Sequence, residues 1–403
     1  MRVVVVGAGI GGLALAQGLV RRGLDVVVLE RDTDLAHTGG YRLHLGTSAV
    51  DSLARELPPM VWQSLRAASA GPESFTAMHL ADRQLRLLGR VRPEGGRHML
   101  VGRRPLRVTL ATGLGAHVRL GEEATGFVRE GSSVRVLTRS GTEVACDLVV
   151  AADGVGSAIA SQAAGRPTSA PIGLVGLAGR HLDVAAIDRK APPYLTAGPA
   201  LAFGPRGVGL FLSRHDPATA DVDPGAGPAH IEEPSWIWGL ILTRAASERR
   251  LPDLVEASAR TRGWAPWARH LMSTTPPDQI GTYRFHASDP TAPTFGWPAS
   301  NVTALGDAVH AMPPTAGQSA ATAIEDAADL LGAVDRVTSG AVTLPVALAD
   351  YHHVVDRRAR PRIRESLGPA TWVARTSGPA AGMALTAATN LIHGYRTLTR
   401  STT

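Results

Sequence analysis

The sequence predicts an α/β fold in which a parallel-sheet domain is interrupted by an inserted mixed β-sheet domain and followed by C-terminal helices. Three observations predict it. The first thirty residues read strand, helix, strand, with a glycine-rich turn after the first strand. A region of strand-like pieces and loops rich in Pro, Ala, Gly and Asp occupies the middle, from about Gly173 to Phe285. After Asn301 the pattern returns to a buried strand, "NVTAL", and then to helical spacing.

Each element follows from local pattern. "RVVVV" and "DVVVLE" are short continuous apolar runs, as expected of strands buried on both faces. Between them "GGLALAQGLVRRG" has apolar residues at helical spacing and stops at Gly23, a C-cap signal. "HVRL", "ATGFVRE", "SVRVLT" and "EVACDLVVAAD" are separated by turns such as "EGSS" and "RSGT", and predict an antiparallel meander between Val118 and Ala152. In the middle region "LVGLAGRHLDV", "ALAFGP", "GVGLFLSR" and "SWIWGLILTR" read as strands, and "HDPATADVDPGAGPAH", His215 to His230, as a mobile hairpin loop. The last sixty residues read as helix, with breaks at Pro361 and at Gly368-Pro369. The expected organisation is a first domain built from 1–72, 98–168 and 287–335, a second from 73–97 and 169–286, and a helical region over 336–403.

Composition limits the function. The chain has 403 residues, 44% hydrophobic and 19% charged, which is ordinary globular composition. "MRVVVVGAG" lacks the pattern of a signal peptide, and no apolar run is long enough to span a membrane, so a cytoplasmic location is expected. A single cysteine, Cys146, excludes an intrachain disulfide, and no metal site is expected. The formal charge of +6 comes from scattered arginines, Lys190 being the only lysine. The dense run "DRRARPRIRE" reads as a solvated helix face, so no nucleic-acid partner is expected.

Three motifs carry chemistry. "VVVVGAGIGG" places Gly7, Gly9 and Gly12 in a GxGxxG between strand and helix. Gly7 allows the tight turn, Gly9 the approach of a pyrophosphate, and Gly12 close packing of helix on strand; the phosphates then meet the helix N-terminus. Glu30, ending the second strand 18 residues after Gly12, is placed to accept hydrogen bonds from a ribose. Together these predict a Rossmann-like dinucleotide site. "DLVVAADGVGSAIA" ends a strand in Asp153-Gly154, where Asp153 or Ser157 could equally serve as an N-cap. "GDAVHAMPPTAGQ" ends a third strand in Gly306-Asp307. Pro313 and Pro314 then fix a turn, and Gly317-Gln318 opens a helix whose N-terminus would face negative charge. A carboxylate at a strand's C-terminal end points into the crevice where cofactors lie, so Asp307 is expected on a ribityl chain.

In this order and spacing the motifs resemble the class A flavoprotein monooxygenases, the p-hydroxybenzoate hydroxylase type, over nearly the whole chain. The resemblance implies an FAD-binding Rossmann-like domain, a substrate domain, and NAD(P)H as a transient reductant without a site of its own. It implies hydroxylation of an electron-rich small molecule through a flavin C4a-hydroperoxide, with O2 as co-substrate, in a monomer or homodimer. "RGLDVVVLERD" matches the family's ribose strand, which adds Arg31 to the cofactor residues. "GYRLHLGTSAVDSL" and "HMLVGRRPLRVTL" match segments whose arginines, here Arg42 and Arg103, approach the nucleotide. Pro314 is expected to wall the flavin ring. The sequence departs from the family at Ala160, where an arginine is usual, at Gly102, usually Asp, and at "SAAT" after Gln318, usually Gly then Asn.

For the substrate, side-chain period two puts Trp236 and Trp238 on one face of a strand, with Phe203, Phe211, Tyr283 and His286 on neighbouring ones. An aromatic pocket over the flavin and ordinary core packing are both consistent with this. Arg42, His44, Trp238 and Tyr283, with Pro314, are the candidate catalytic residues. His44 could orient or deprotonate a phenol, or simply be satisfied by backbone, and His310 reads as structural. A redox-neutral cyclase with structural FAD, a Baeyer–Villiger or epoxidising enzyme, and a flavin-binding sensor are the alternatives. "SWIWGLI" resembles a flavin-dependent halogenase signature only in part, since Gly239-Leu240-Ile241 follows instead of Ile-Pro and no lysine precedes Lys190.

Overall fold

A computed structural model of the chain describes residues 1–378 except 37, 41, 71, 93–94, 132, 218–229, 231 and 246–247, together with 384 and 387. Most of the expected His215–His230 loop and the last residues of the expected C-terminal helical region therefore lie outside the described residues.

Five parallel strands form the first sheet, in the order Val302–Ala304, Leu148–Ala151, Arg2–Val6, Asp25–Glu30, Val118–Leu120. The valine run is apolar throughout because both faces are covered. Val3 and Val5 pack under the helices Ile10–Arg21 and Ser319–Thr338, whereas Val4 and Val6 pack with Phe127, Val134 and Trp297. The two helices lie very close, and a Cβ on Gly18 would sit 2.2 Å from Leu331 Cδ1.

The expected four-strand meander has three strands, Ala124–Glu130, Ser133–Thr138 and Glu143–Cys146. Val118–Leu120 and Leu148–Ala151 belong to the parallel sheet instead. All four residues of Leu148–Ala151 are buried, the pattern of a strand covered on both faces. The chain changes sheet at Asp147, whose carboxylate accepts the Arg2 amide at 2.7 Å.

A seven-stranded sheet runs Ile280–Ala287, Ala170–His181, Ser235–Thr243, Val208–His215, Ala200–Gly204, Met78–Asp82, Leu87–Val91. One face is a closed core under the helices Leu254–Arg260 and Pro266–Thr274. A small sheet of Arg42–Leu45, Met99–Gly102 and Ser69–Ala70 is the third unit that bears on the site. The last helix, Leu344–Arg375, runs through Pro361 and Pro369 without the expected breaks. Buried residues from Ala347 to Val373 recur along one side, and this packing overrides the loss of two amide donors. Among the described residues no helix is long and apolar enough to cross a membrane.

Candidate active site

The carboxyl edge of the parallel sheet collects the motif residues. Gly7 follows the first strand with φ +107°, and a Cβ there would lie 2.4 Å from Ala152 O. A Cβ on Gly12 would lie 2.1 Å from Gly7 O, so helix and turn touch backbone to backbone. Above Gly9 the nearest atom to a Cβ is 3.8 Å away, leaving that side open. The helix Ile10–Arg21 has no side-chain cap and no acid in its first turn, so its N-terminal amides remain available to an anion.

Glu30 is buried at the end of its strand. It accepts the Ala8 amide at 2.7 Å and the Asp32 amide at 2.9 Å, and pairs with Arg107 at 3.0 Å. Arg107 also donates to Ala8 O and to Asp32. None of the three motifs marks Arg107. Its signal is a charged residue among the apolar positions Leu106 and Leu110, one helical turn after Arg103. Arg31, in contrast, is exposed, with Glu123 as a charged neighbour.

Asp153 follows the second central strand. One carboxylate oxygen accepts the Ala158 amide at 3.0 Å; the other is buried without a partner among the described residues, and burial raises the group's pKa. Ala160 is fully buried against Phe127 and Ile159, so the core fills the point where the family usually carries arginine.

Gly306 takes φ +64° and turns the third strand into Asp307, whose carboxylate accepts the Ser319 hydroxyl at 2.6 Å. The departing "SAAT" thus supplies the residue that ties this acid to the next helix. That helix, Ser319–Thr338, also lacks a side-chain cap and a first-turn acid. Gln318 donates from its side-chain amide to Glu365 at 2.9 Å, and among the described residues its side-chain oxygen is buried without a partner. Gly317 has φ +66°, and Pro314 is exposed at the head of the preceding turn. Arg103 is solvent-accessible, yet the surrounding protein desolvates it and lowers its pKa, with Asp307, Arg107 and Tyr283 in electrostatic range. Accessible and desolvated together describe the lining of a cleft.

Behind this edge lies a buried charge network. Asp326 accepts the Gly306 amide at 3.0 Å, His310 Nε2, and Arg358 at 2.7 Å. Arg358 also reaches Glu325 and Asp329. His310 is therefore structural in effect, since it fixes the Gly306 turn to two helices.

The seven-stranded sheet approaches from the other side. Tyr283 Oη is 3.0 Å from the Gly40 amide, and Arg42 donates to Arg214 O at 2.8 Å. His44 contacts His98 at 3.1 Å and packs on Phe75. Burial, then His98 and Arg42, lower its pKa to about 4, so it is a neutral ring at neutral pH.

Trp236 and Trp238 do share a face, but it is the closed one. Both are fully buried, bonded to Asp188 and Thr275, and packed under the helices. They do not line a pocket, and Trp238 cannot touch reacting atoms. The opposite face carries Phe211, Tyr283, Ser213, Ile237 and Arg180. There Ala178, Gly239 and Phe211 pair in register across three strands, each partly solvent-accessible in the middle of a sheet. That row is the open floor of the sheet's second face. Phe203 lies on the same face but at its far end, 5.5 Å from the Trp372 ring. His286 contacts its own strand at Arg284 O.

Two helix N-termini without side-chain caps and the acids Glu30, Asp153 and Asp307, gathered on one edge of the sheet, fit an FAD. The FAD binding domain family matches residues 1–365. The chain belongs to the class A, p-hydroxybenzoate hydroxylase-type flavoprotein monooxygenase family. As a class A flavoprotein it uses FAD. It is 27% identical, over 90% of its length, to a dual O-methyltransferase/FAD-dependent monooxygenase of Cercospora beticola, covering 45% of that protein. It thus spans less than half of the curated relatives of this kind. It is 27% identical to an FAD-dependent urate hydroxylase of Mycolicibacterium vanbaalenii, with 81% of this chain and 78% of that one covered. In fold it is similar to the Klebsiella pneumoniae protein HpxO complexed with FAD and uric acid (TM-score 0.73, 22% identity, 98% and 93% covered).

The Asp307 assignment has a direct test. Asp307→Ala is expected to leave the purified class A flavoprotein largely without flavin, read as the visible-to-ultraviolet absorbance ratio. A wild-type ratio would remove Asp307 from the cofactor site.

Proposed function

We propose that the chain is a single-component monooxygenase that takes electrons from NAD(P)H and transfers one oxygen atom from O2 to an aromatic or otherwise electron-rich small molecule, in secondary metabolism. The observation that carries this reading is the seam made by Arg42 and Tyr283. They bond the flavin-side strand and loop to the seven-stranded sheet, so its open floor at Ala178, Gly239 and Phe211 adjoins the cofactor edge. Names of relatives such as the urate hydroxylase support it.

FAD, when bound and reduced, supplies the activation of O2. The protein's own residues do the rest. The amides at Ser319 and Ala320 would hold negative charge at the helix N-terminus, and the Arg103 guanidinium adds a positive charge beside Asp307. Phe211, Ile237 and the small residues of the floor would hold an apolar ring and exclude water from it. His44, neutral and bonded to His98, would orient a hydroxyl rather than act as a cation.

The test is NADPH oxidation under air, with and without candidate phenolic substrates, followed by product mass. Faster oxidation and a gain of one oxygen with the ring intact are expected. A lactone product would point to Baeyer–Villiger chemistry. Ala160, buried where the family usually has arginine, favours a second reading, a redox-neutral cyclase with structural FAD. Product formed with no NADPH consumption would select that reading and reject the first.

A further inference from the structure

Gly102 is a glycine that its own backbone does not require. Its φ of −63° and ψ of 143° suit any residue, and it stands where the family usually carries aspartate. What leaves no room for a side chain is a distant part of the chain. A Cβ on Gly102 would lie 2.1 Å from Glu232 Oε2, 2.8 Å from Glu232 Cδ and 2.9 Å from Pro105 Cδ. Glu232 belongs to the seven-stranded sheet, just ahead of its strand Ser235–Thr243. Arg180 of the same sheet holds the other carboxylate oxygen at 3.1 Å, and the two side chains are only 15% and 14% exposed.

Gly102 stands at the start of the helix Arg103–Ala111. That helix has no side-chain cap and no acid in its first turn, and its first two residues are both arginine. The N-terminus is the positive end of the helix dipole, so cations there are unfavourable and a carboxylate offsets them. Arg104, with Arg180, is a cation in electrostatic range of Glu232. The same helix serves the flavin edge twice. Arg103 stands in electrostatic range of Asp307, and Arg107 pairs with Glu30 and donates to Ala8 O. A shift of the helix start therefore moves two arginines at the cofactor cleft.

We propose that Glu232 is a positioning residue for the flavin site: reaching across from the seven-stranded sheet, it supplies at the start of the helix Arg103–Ala111 the carboxylate that the family usually carries at position 102. The two positions are a matched pair, space at one and an acid at the other. Aspartate at 102 in this chain would push Glu232 off Arg180 and set two carboxylates against each other. Loss of Glu232 with Gly102 in place would leave the helix start with its arginines alone. Glu232 acts on flavin only through Arg103 and Arg107, so its effect is on how firmly flavin is held. The proposal concerns the FAD site and is independent of the reaction proposed above.

The experiment measures the dissociation constant of FAD, from the rise in flavin fluorescence as the FAD-loaded protein is diluted. The variants are Gly102→Asp, Glu232→Ala and the two combined. Each single variant is expected to weaken FAD binding roughly tenfold, and the combination to recover most of that loss, as coupled neighbours do. Because Glu232→Ala also strands Arg180, a second combination, Arg180→Met with Glu232→Ala, is measured beside it. Its binding is expected to stay as weak as that of Glu232→Ala. Glu232→Gln keeps the shape and serves where alanine fails to fold; it is expected to weaken FAD about threefold. The proposal is overturned if removal of the Glu232 charge leaves FAD binding at the wild-type value. It is equally overturned if Gly102→Asp brings no recovery to Glu232→Ala, or if Arg180→Met restores binding.

Discussion

Replacing Asp326 by alanine is expected to lower stability by about 3–5 kcal/mol, the usual consequence of removing one partner from a buried ion pair. Asp326 and His310 are both fully buried, and Arg358 donates to the same carboxylate. The substitution would strand these two cations and free the Gly306 amide. Urea unfolding of the FAD-loaded protein measures it, and a change under about 1 kcal/mol would mean the network is mere surface-type decoration. The pH dependence has a definite sign. Burial alone would raise the Asp326 pKa, but His310 and Arg358 hold it below its ordinary value. Its contribution is therefore full above about pH 3.9 and is lost as pH falls through the folded-state value. Burial alone would lower His310, but Asp326 raises it. That contribution is full below about pH 6.5 and is lost as pH rises through the folded-state value. The gap between wild type and variant should be widest between those limits.

Gly12→Ala is expected to abolish stable flavin binding. The new methyl would stand 2.1 Å from Gly7 O and 3.2 Å from Ala152 Cβ, and neither the turn nor the strand can yield without moving the other. Overpacking of this kind costs about 1–3 kcal/mol. The larger effect is that the helix N-terminus shifts off the phosphate position. Gly9→Ala is the control. Its Cβ would meet nothing nearer than 3.8 Å within the protein, so only the bound cofactor could object. Both variants are read by flavin content and by fluorescence quenching on FAD titration. Retention of flavin by Gly12→Ala would contradict the close contact.

The parallel half of the fold was legible because its constraints are local. A glycine that must take positive φ, and acids that end buried strands, announce themselves within a few residues, as Gly7, Glu30 and Asp307 do. The second sheet was legible only halfway. Period two correctly joined Trp236 to Trp238. It could not say which face is covered, because the cover comes from helices over 254–274, distant in sequence. Pro361 and Pro369 misled for the same reason: the packing that carries the helix past them involves other parts of the chain. Arg107 stood outside every motif because a buried charge looks ordinary until its partners, here Glu30 and Asp32, are in view. Ser319 opens the departing "SAAT", and only the Asp307 contact gives it a role.

The floor made by Ala178, Gly239 and Phe211 has a consequence for how this enzyme can change. A Cβ added at Gly239 would meet Phe211 Cβ at 3.8 Å and Ala178 Cβ at 4.0 Å, which is ordinary contact. The two tryptophans and the helices Leu254–Arg260 and Pro266–Thr274 are on its other side, and the helix Leu344–Arg375 meets the open face only at its far end, at Ile241 and Phe203. Bore and foundation are thus separate: side chains can be lengthened or trimmed on the open face, resizing the accepted molecule, while the buried face keeps the sheet folded.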